Sequence, residues 1–455
     1  MSPLKLFRWA AVSVAITASL GAGTPVLAEA DADSAPAEQA ESSSASEEET
    51  EDRLDRVEAQ IEVLTDEVGR LESLFAVPEE VALESFNGLG PAASKVYKRD
   101  NGLSIGGYGE VRLRTFHNQG DDDQNDIFDA LRLVLYVGYK YSEKWVLNSE
   151  IEFEHGGTGG GGSVSTEFLT LDYLYRDELN FRAGVVLLPM GFINEIHEPN
   201  FFYGAARPEV ERRLIPTTWR ENGAGIFGTV SDRIHYRFYV VNGMDGAGFA
   251  ANGLRGGRQK ASEALSDDFA FVGRVDVDLM DGLMVGGSVY AGQSGQEQRF
   301  DTGPGTPDPL LPDMMTHIYE LHAQYKGYGF SLRGLWSEAF VDQAGSFNRI
   351  TGKAVGAGLA SRMQGWYVEA AYDVLPLFMD TRASLEPYFR FEQLDTQHKV
   401  PDGFVRDGAQ DLDLYTAGLQ FKPIPQVVFK LDYRHFDQRD GDRADEVQAM
   451  VGYVF

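Results

Sequence analysis

Cysteine is absent from all 455 residues, which excludes a disulfide framework. Beyond the first 28 residues no stretch approaches the roughly 20 uninterrupted apolar residues that a membrane helix needs, so any passage through a bilayer has to be made by strands. Positive charge is scarce. Forty Lys and Arg stand against 70 Asp and Glu, and the formal charge of −30 argues against nucleic acid as a partner. No nucleophile elbow and no zinc-binding pair of histidines at helical spacing occurs, so neither a catalytic residue, a metal site nor a cofactor is expected. Gly157-Thr158-Gly159-Gly160-Gly161-Gly162 and Gly223-Ala224-Gly225-Ile226-Phe227-Gly228 fit the dinucleotide pattern by spacing, but neither opens a helix in a strand-helix-strand unit. Asp121-Asp122-Asp123 reads as a solvated loop tip, and His435 beside Asp437 as a surface pair.

What is present begins with a leader. Lys5 and Arg8 precede an apolar run from Trp9 to Leu20, and Val26-Leu27-Ala28 follows, which is the order of a cleaved secretory signal over residues 1–28. Residues 29–80 then hold 18 acidic and 3 basic side chains, a balance of −15 and half of the whole excess. Within them residues 29–50, with Ser42-Ser43-Ser44 and Glu47-Glu48-Glu49, are expected to be a disordered acidic linker. Over residues 51–77 the period changes: Leu54, Val57, Ile61, Leu64, Val68, Leu71 and Phe75 step by three and four, and Pro78 ends the run. That spacing predicts a short coiled coil, without fixing its strand number, or an amphipathic helix packed on its own domain. Residues 78–102 are expected to be a further linker.

From residue 103 the chain alternates with a period of two. Trp145, Leu147, Ile151 and Phe153 oppose Asn148, Glu150, Glu152 and Glu154, and similar splits recur to the end. Fifty glycines, 20 tyrosines and 28 phenylalanines suit a large sheet with many turns and aromatic belts. Sixteen strands are predicted, starting near residues 103, 126, 145, 164, 180, 223, 234, 268, 283, 315, 329, 364, 384, 412, 427 and 446. The fold expected for 103–455 is therefore all-β, a 16-stranded antiparallel transmembrane β-barrel. Ser231-Asp232-Arg233, Asp281-Gly282 and Lys326-Gly327-Tyr328 read as short turns on the periplasmic side, and Ala354 to Ala360 as part of a long outer loop. The last strand, with Val447, Ala449, Val451, Tyr453 and Phe455 on one face, resembles the assembly signal of Gram-negative outer-membrane barrels.

A barrel of that size leaves a lumen its own side chains cannot fill. The longest unpatterned segment, residues 189–222, is rich in aromatic and proline anchors and is the expected constriction loop. Its run from Leu188 to Gly225, the sixteen-strand pattern ending in Tyr453-Val454-Phe455 and the coil before the barrel resemble the phosphate-selective porin family of the O and P type. The resemblance implies a trimeric outer-membrane channel for small anions, embedded in outer-membrane lipid. It also implies lumenal arginines and lysines that guide phosphate or related oligoanions. Arg207, Arg212, Arg213 and Arg220 are the candidate anion-binding residues of the loop, able to offer planar donor forks to an oxyanion, or to pair internally with Glu209, Glu211 and Glu221. Arg112, Arg114, Arg132, Arg182, Arg237, Arg274 and Arg333 fall on the lumen face by parity with further arginines and lysines, but carboxylates share that face and nearly balance the cations, leaving a general or differently selective pore open. A further reading is an envelope tether, in which the N-terminal coil holds peptidoglycan or a periplasmic partner and the barrel is its anchor.

Overall fold

A computed structural model of the chain describes residues 53–68, 83–118, 124–301, 303, 307–353 and 358–455. It divides into two units, Met1–Ala76 and Val77–Phe455. In the first, residues 53–68 are helical (α1), and Leu54, Val57, Ile61, Leu64 and Val68 are all exposed. The signal, the acidic linker and the rest of the predicted coil lie outside the described residues.

The second unit is a barrel because its alternation leaves one apolar and one polar face on every strand, and closing the sheet turns each face one way. The first strands are β1 Gly102–His117, β2 Ile127–Lys140, β3 Trp145–Glu154, β4 Ser163–Arg176 and β5 Leu179–Leu187. After a long connection come β6 Arg220–Val230, β7 Ile234–Asn242, β8 Phe269–Met280, β9 Leu283–Gln293, β10 Met315–Gly327 and β11 Phe330–Val341. The last are β12 Arg362–Tyr372, β13 Ser384–Lys399, β14 Asp411–Ile424, β15 Val427–Gln438 and β16 Asp445–Val454. Every strand pairs antiparallel with its chain neighbours, and β1 closes the ring on β16 from Tyr108 opposite Val454 to His117 opposite Asp445. All sixteen strands expected from the alternation are present. One rim carries short turns and the chain's entry into β1; the other carries the long loops.

Polarity is inverted relative to a water-soluble protein. Leu171, Phe181, Val240, Leu321, Val368, Phe389 and Leu431 point out and are exposed, whereas Glu150, Asp172, Arg237, Glu320, Arg390 and Arg434 are buried within. An apolar outer wall around a polar lumen is the solution demanded by hydrocarbon outside and water inside. Trp145 against Tyr173 and Phe330 against Tyr372 mark the turn rim, and Trp366, Phe391 and Tyr415 meet edge-on and tilted toward the loop rim.

Three boundaries differ from the sequence-based expectation. Arg220, Glu221 and Asn222 open β6 instead of closing the loop, because their backbone pairs with Val185–Leu187 of β5. Lys326 and Gly327 extend β10, leaving Tyr328-Gly329 as the turn. The segment before β1 is not a free linker. A 3-10 turn over Ala93–Lys98 lies inside the barrel, with Leu89, Ala92, Val96 and Tyr97 packed on Tyr108, Val134, Tyr136 and Phe168. Asn148 donates to the Ala93 carbonyl (2.8 Å) and the Tyr97 hydroxyl donates to Asp172 (2.7 Å). Gly138 makes the approach possible, since a Cβ there would stand 2.7 Å from Val96 Cβ. Before β12 the chain forms helix α3 (Ala344–Ile350), and among the described residues on either side of 354–357 none is in a strand until Arg362.

Candidate functional site

Residues 188–219 run from β5 into the ring and back to β6. Their neck is held by Asn194, whose amide donates to the carbonyls of Leu188 (2.7 Å) and Trp219 (2.9 Å) while its Oδ1 accepts the Trp219 N–H. Farther along, Glu211 accepts from the Ile193 N–H (2.7 Å) and from the Tyr367 hydroxyl of β12 (2.6 Å). Leu188, Met190, Val210, Leu214, Ile215 and Trp219 form a buried apolar cluster with Phe249 and Leu254 of the β7–β8 loop and Phe347 of α3. The lumen at this level is therefore occupied by inward-folded loops.

The crossing stretch, residues 199–206, has no strand partner, so its carbonyls need donors from elsewhere. Cations on the wall provide them. Lys430 donates to Phe202 (2.6 Å) and Gly204 (3.0 Å), Arg390 to Tyr203 (3.1 Å) and Ala206 (3.3 Å), Arg333 to Phe201 (3.4 Å) and Arg112 to Ala205 (3.4 Å). Asp432 accepts the Ala205 N–H (2.7 Å). Of the other lumenal arginines, Arg274 bonds Asp276 and the Gly191 carbonyl, and Arg237 bonds Asp276. Arg132 pairs with Glu110 (2.8 Å), Arg182 with Asp172 (2.8 Å), and Arg114 lies 3.9 Å from Glu446. Most of the charge on these arginines is matched by neighbouring carboxylates or committed to loop carbonyls.

The four arginines expected to bind the anion, three on the loop and Arg220 at the start of β6, stand differently. Arg212 and Arg213 end a single helical turn, α2 (Glu209–Arg213), with Arg207 just before it. Arg220 pairs with Glu167 of β4 (2.8 Å), and Arg212 with Glu209 (2.8 Å). Arg213 donates to the Asn252 carbonyl (3.2 Å) and to Gln410, and Arg207 has a buried Nη2 without a hydrogen-bond partner. Arg212 and Arg213 line a cavity of about 380 Å³ toward the loop rim, together with Asn252, Arg255, Gln410 and Arg443. Four guanidinium groups face this space, and no carboxylate lines it. Burial, with Arg258, Arg212 and Arg207 close by, pushes Arg255 down to about 9; burial and Arg212 push Arg213 down to about 10. Burial alone would raise the Glu209 carboxyl, but Arg212, Arg434 and Arg443 outweigh it and hold it well below the usual range. A guanidinium keeps its proton in water, so these groups stand together as crowded cations, with Glu209 beside Arg212 at 2.8 Å as a neighbouring carboxylate.

Arg255, Arg258 and Arg443 were not among the residues expected from sequence. The first two bracket Gly256-Gly257 in the unpatterned β7–β8 loop, and that Arg-Gly-Gly-Arg run was the available signal. Arg255 donates to the carbonyls of Arg212 and Thr217, and Arg258 to that of Thr218, so this second loop is bound onto the first. Arg443, on the β15–β16 loop, rests on the Phe436 ring at 3.7 Å.

No protein-family model matches the chain. Among solved structures it is similar to an anion-selective porin from Comamonas acidovorans, at 12% identity and a TM-score of 0.51, covering 78% of this chain and 100% of that one. It is likewise similar to OmpF of Salmonella typhi in complex with daunomycin, at 12% identity and a TM-score of 0.50, covering 78% and 98%. At these identities the likeness speaks for the fold, that of the outer-membrane porins. An uncharacterized protein of Aquifex aeolicus (strain VF5) is 36% identical over 392 residues, 84% of this chain and 86% of that protein. With that identity sustained across most of both sequences, the chain belongs to the same family as the Aquifex aeolicus protein.

Proposed function

We propose that the chain is a passive porin of a Gram-negative outer membrane that admits small anions, with phosphate and related oligoanions as preferred solutes. The observation that carries this reading is the cavity faced by Arg212, Arg213, Arg255 and Arg443 without a lining carboxylate. Planar forks arranged around a space of that size suit a tetrahedral oxyanion, whose hydration shell they replace in part. Solute then passes the narrowed level by exchange between weak sites, with no covalent chemistry. The porin fold and the apolar outer wall support the placement in the outer membrane. The family resemblance supports a homotrimer, with the coil at 51–77 in the periplasm bundling the three chains or reaching peptidoglycan.

The test is the reversal potential of the purified protein in a planar bilayer under a salt gradient, followed by phosphate titration of the chloride current. Anion preference with saturable phosphate block is expected. Replacing Arg212 and Arg213 together by Ala removes charged donors worth about 1.5–3 kcal/mol each, so the block should weaken roughly a hundredfold or more. Unchanged reversal potential and block in that variant would discard the assignment. One observation favours a second reading, a general porin: the strand arginines are largely paired with wall carboxylates. Cation preference, or no phosphate block, would support it.

A further inference from the structure

We propose that Glu150, Glu167 and His197 form a divalent transition-metal site that fastens the lumenal loop to the wall at β3 and β4. The three side chains are 0%, 1% and 2% exposed, and their ligand atoms lie within 4.8 Å of one another. His197 belongs to the loop, three residues beyond the neck at Asn194. Its Nδ1 is 3.1 Å from the Asn194 carbonyl, which can only accept, so Nδ1 carries a proton and Nε2 is the ring atom turned to the two carboxylates, the one able to ligate from the neutral ring. A backbone carbonyl on one ring nitrogen is the outer-shell arrangement that orients a metal-ligating histidine.

Distances agree with this. Nε2 is 3.0 Å from Glu150 Oε1 and 3.5 Å from Glu167 Oε2. Two donors each about 2.0–2.2 Å from a tetrahedral ion stand about 3.4 Å apart, between those two values. Independently, Glu150 Oε2 and Glu167 Oε2 are buried without a hydrogen-bond partner, and the latter is the oxygen turned toward His197. A doubly protonated ring, donating its Nε2–H to Glu150 Oε1, would leave Glu167 Oε2 orphaned. A metal ion takes all three ligands at once. Glu167 is oriented by Arg220, 2.8 Å from its other oxygen. The mixed nitrogen and oxygen donor set suits Zn²⁺ or a neighbouring first-row ion better than Ca²⁺ or Mg²⁺.

This site is independent of the solute the pore conducts. The full-length protein, stripped with chelator in detergent, is to be equilibrated with Zn²⁺ alone, desalted and assayed for bound metal, and then loaded with Co²⁺. One equivalent of Zn²⁺ per chain is expected, with an intense visible Co²⁺ absorption of tetrahedral type and a raised melting temperature with Zn²⁺. In His197→Ala and Glu150→Gln, affinity should fall at least tenfold and the thermal shift should vanish. Zinc retention equal in the wild type and the variants would overturn the proposal. If the variants do not form the barrel, as judged by heat-modifiable gel mobility, the wild-type Co²⁺ spectrum decides alone, and absence of the tetrahedral band sinks the site.

Discussion

Lys430 shows how a single lumenal charge is used. It lies on β15, 3% exposed, donates to two carbonyls of a segment more than two hundred residues upstream, and sits 4.0 Å over the Phe202 ring. Replacing it by Met leaves the Phe202 and Gly204 carbonyls without this donor, at about 1–3 kcal/mol for each buried group left unsatisfied. We expect Lys430→Met to remain barrel-shaped but to admit trypsin at Arg207. Trypsin resistance equal to wild type would show that Arg390 and Arg333 hold the crossing stretch without it. At this scale the sequence was least legible, because a guanidinium that binds solute and one that bonds a carbonyl present the same letter at the same parity.

Strands, by contrast, were read to within three residues at every start, since the two-residue period is local and each strand carries it whole. The path of residues 188–219 was not readable in the same way, because its partners lie on β1, β11, β13 and β15 and only closure of the ring brings them together. Glu150, Glu167 and His197 escaped notice for the same reason: no short spacing joins them. The segment over Ala93–Lys98 was missed because its apolar positions are too few to show a period, although Ala92, Ala93, Val96 and Tyr97 are nearly all apolar. Introducing Asp at Val96, against Gly138, should drive that segment from the lumen and raise single-channel conductance; an unaltered conductance would mean it lies clear of the ion path. Deleting residues 29–80 leaves every contact described for the barrel in place, so conductance should persist. Loss of envelope attachment in that deletion, with conductance intact, would favour a tethering role for the coil.

As a whole molecule the protein is organised by its inverted polarity. Val368 sits mid-strand on β12 with its side chain outward and half exposed, opposite Gly334 of β11. Arg at that position should destabilise the barrel by about 2–4 kcal/mol in urea titrations from lipid vesicles, as charge at the bilayer midplane does. A cost near zero would place Val368 at an interface with water or with another protein surface. The net charge of −30 does not contradict an anion pathway, since residues 29–80 carry half of it and the wall carboxylates are largely met by arginines.

The donors that fix the crossing stretch also set an order in time. Residues 199–206 are made before β6, yet the groups that bind their carbonyls sit as late in the chain as Arg390 and Lys430. Until the final strands arrive, that stretch lacks the Arg390 and Lys430 donors and has only the longer contacts from Arg112 and Arg333, and a half-built sheet is an open trough. The narrowing of the lumen is thus a product of completed assembly, and a chain stalled short of β15 cannot acquire it.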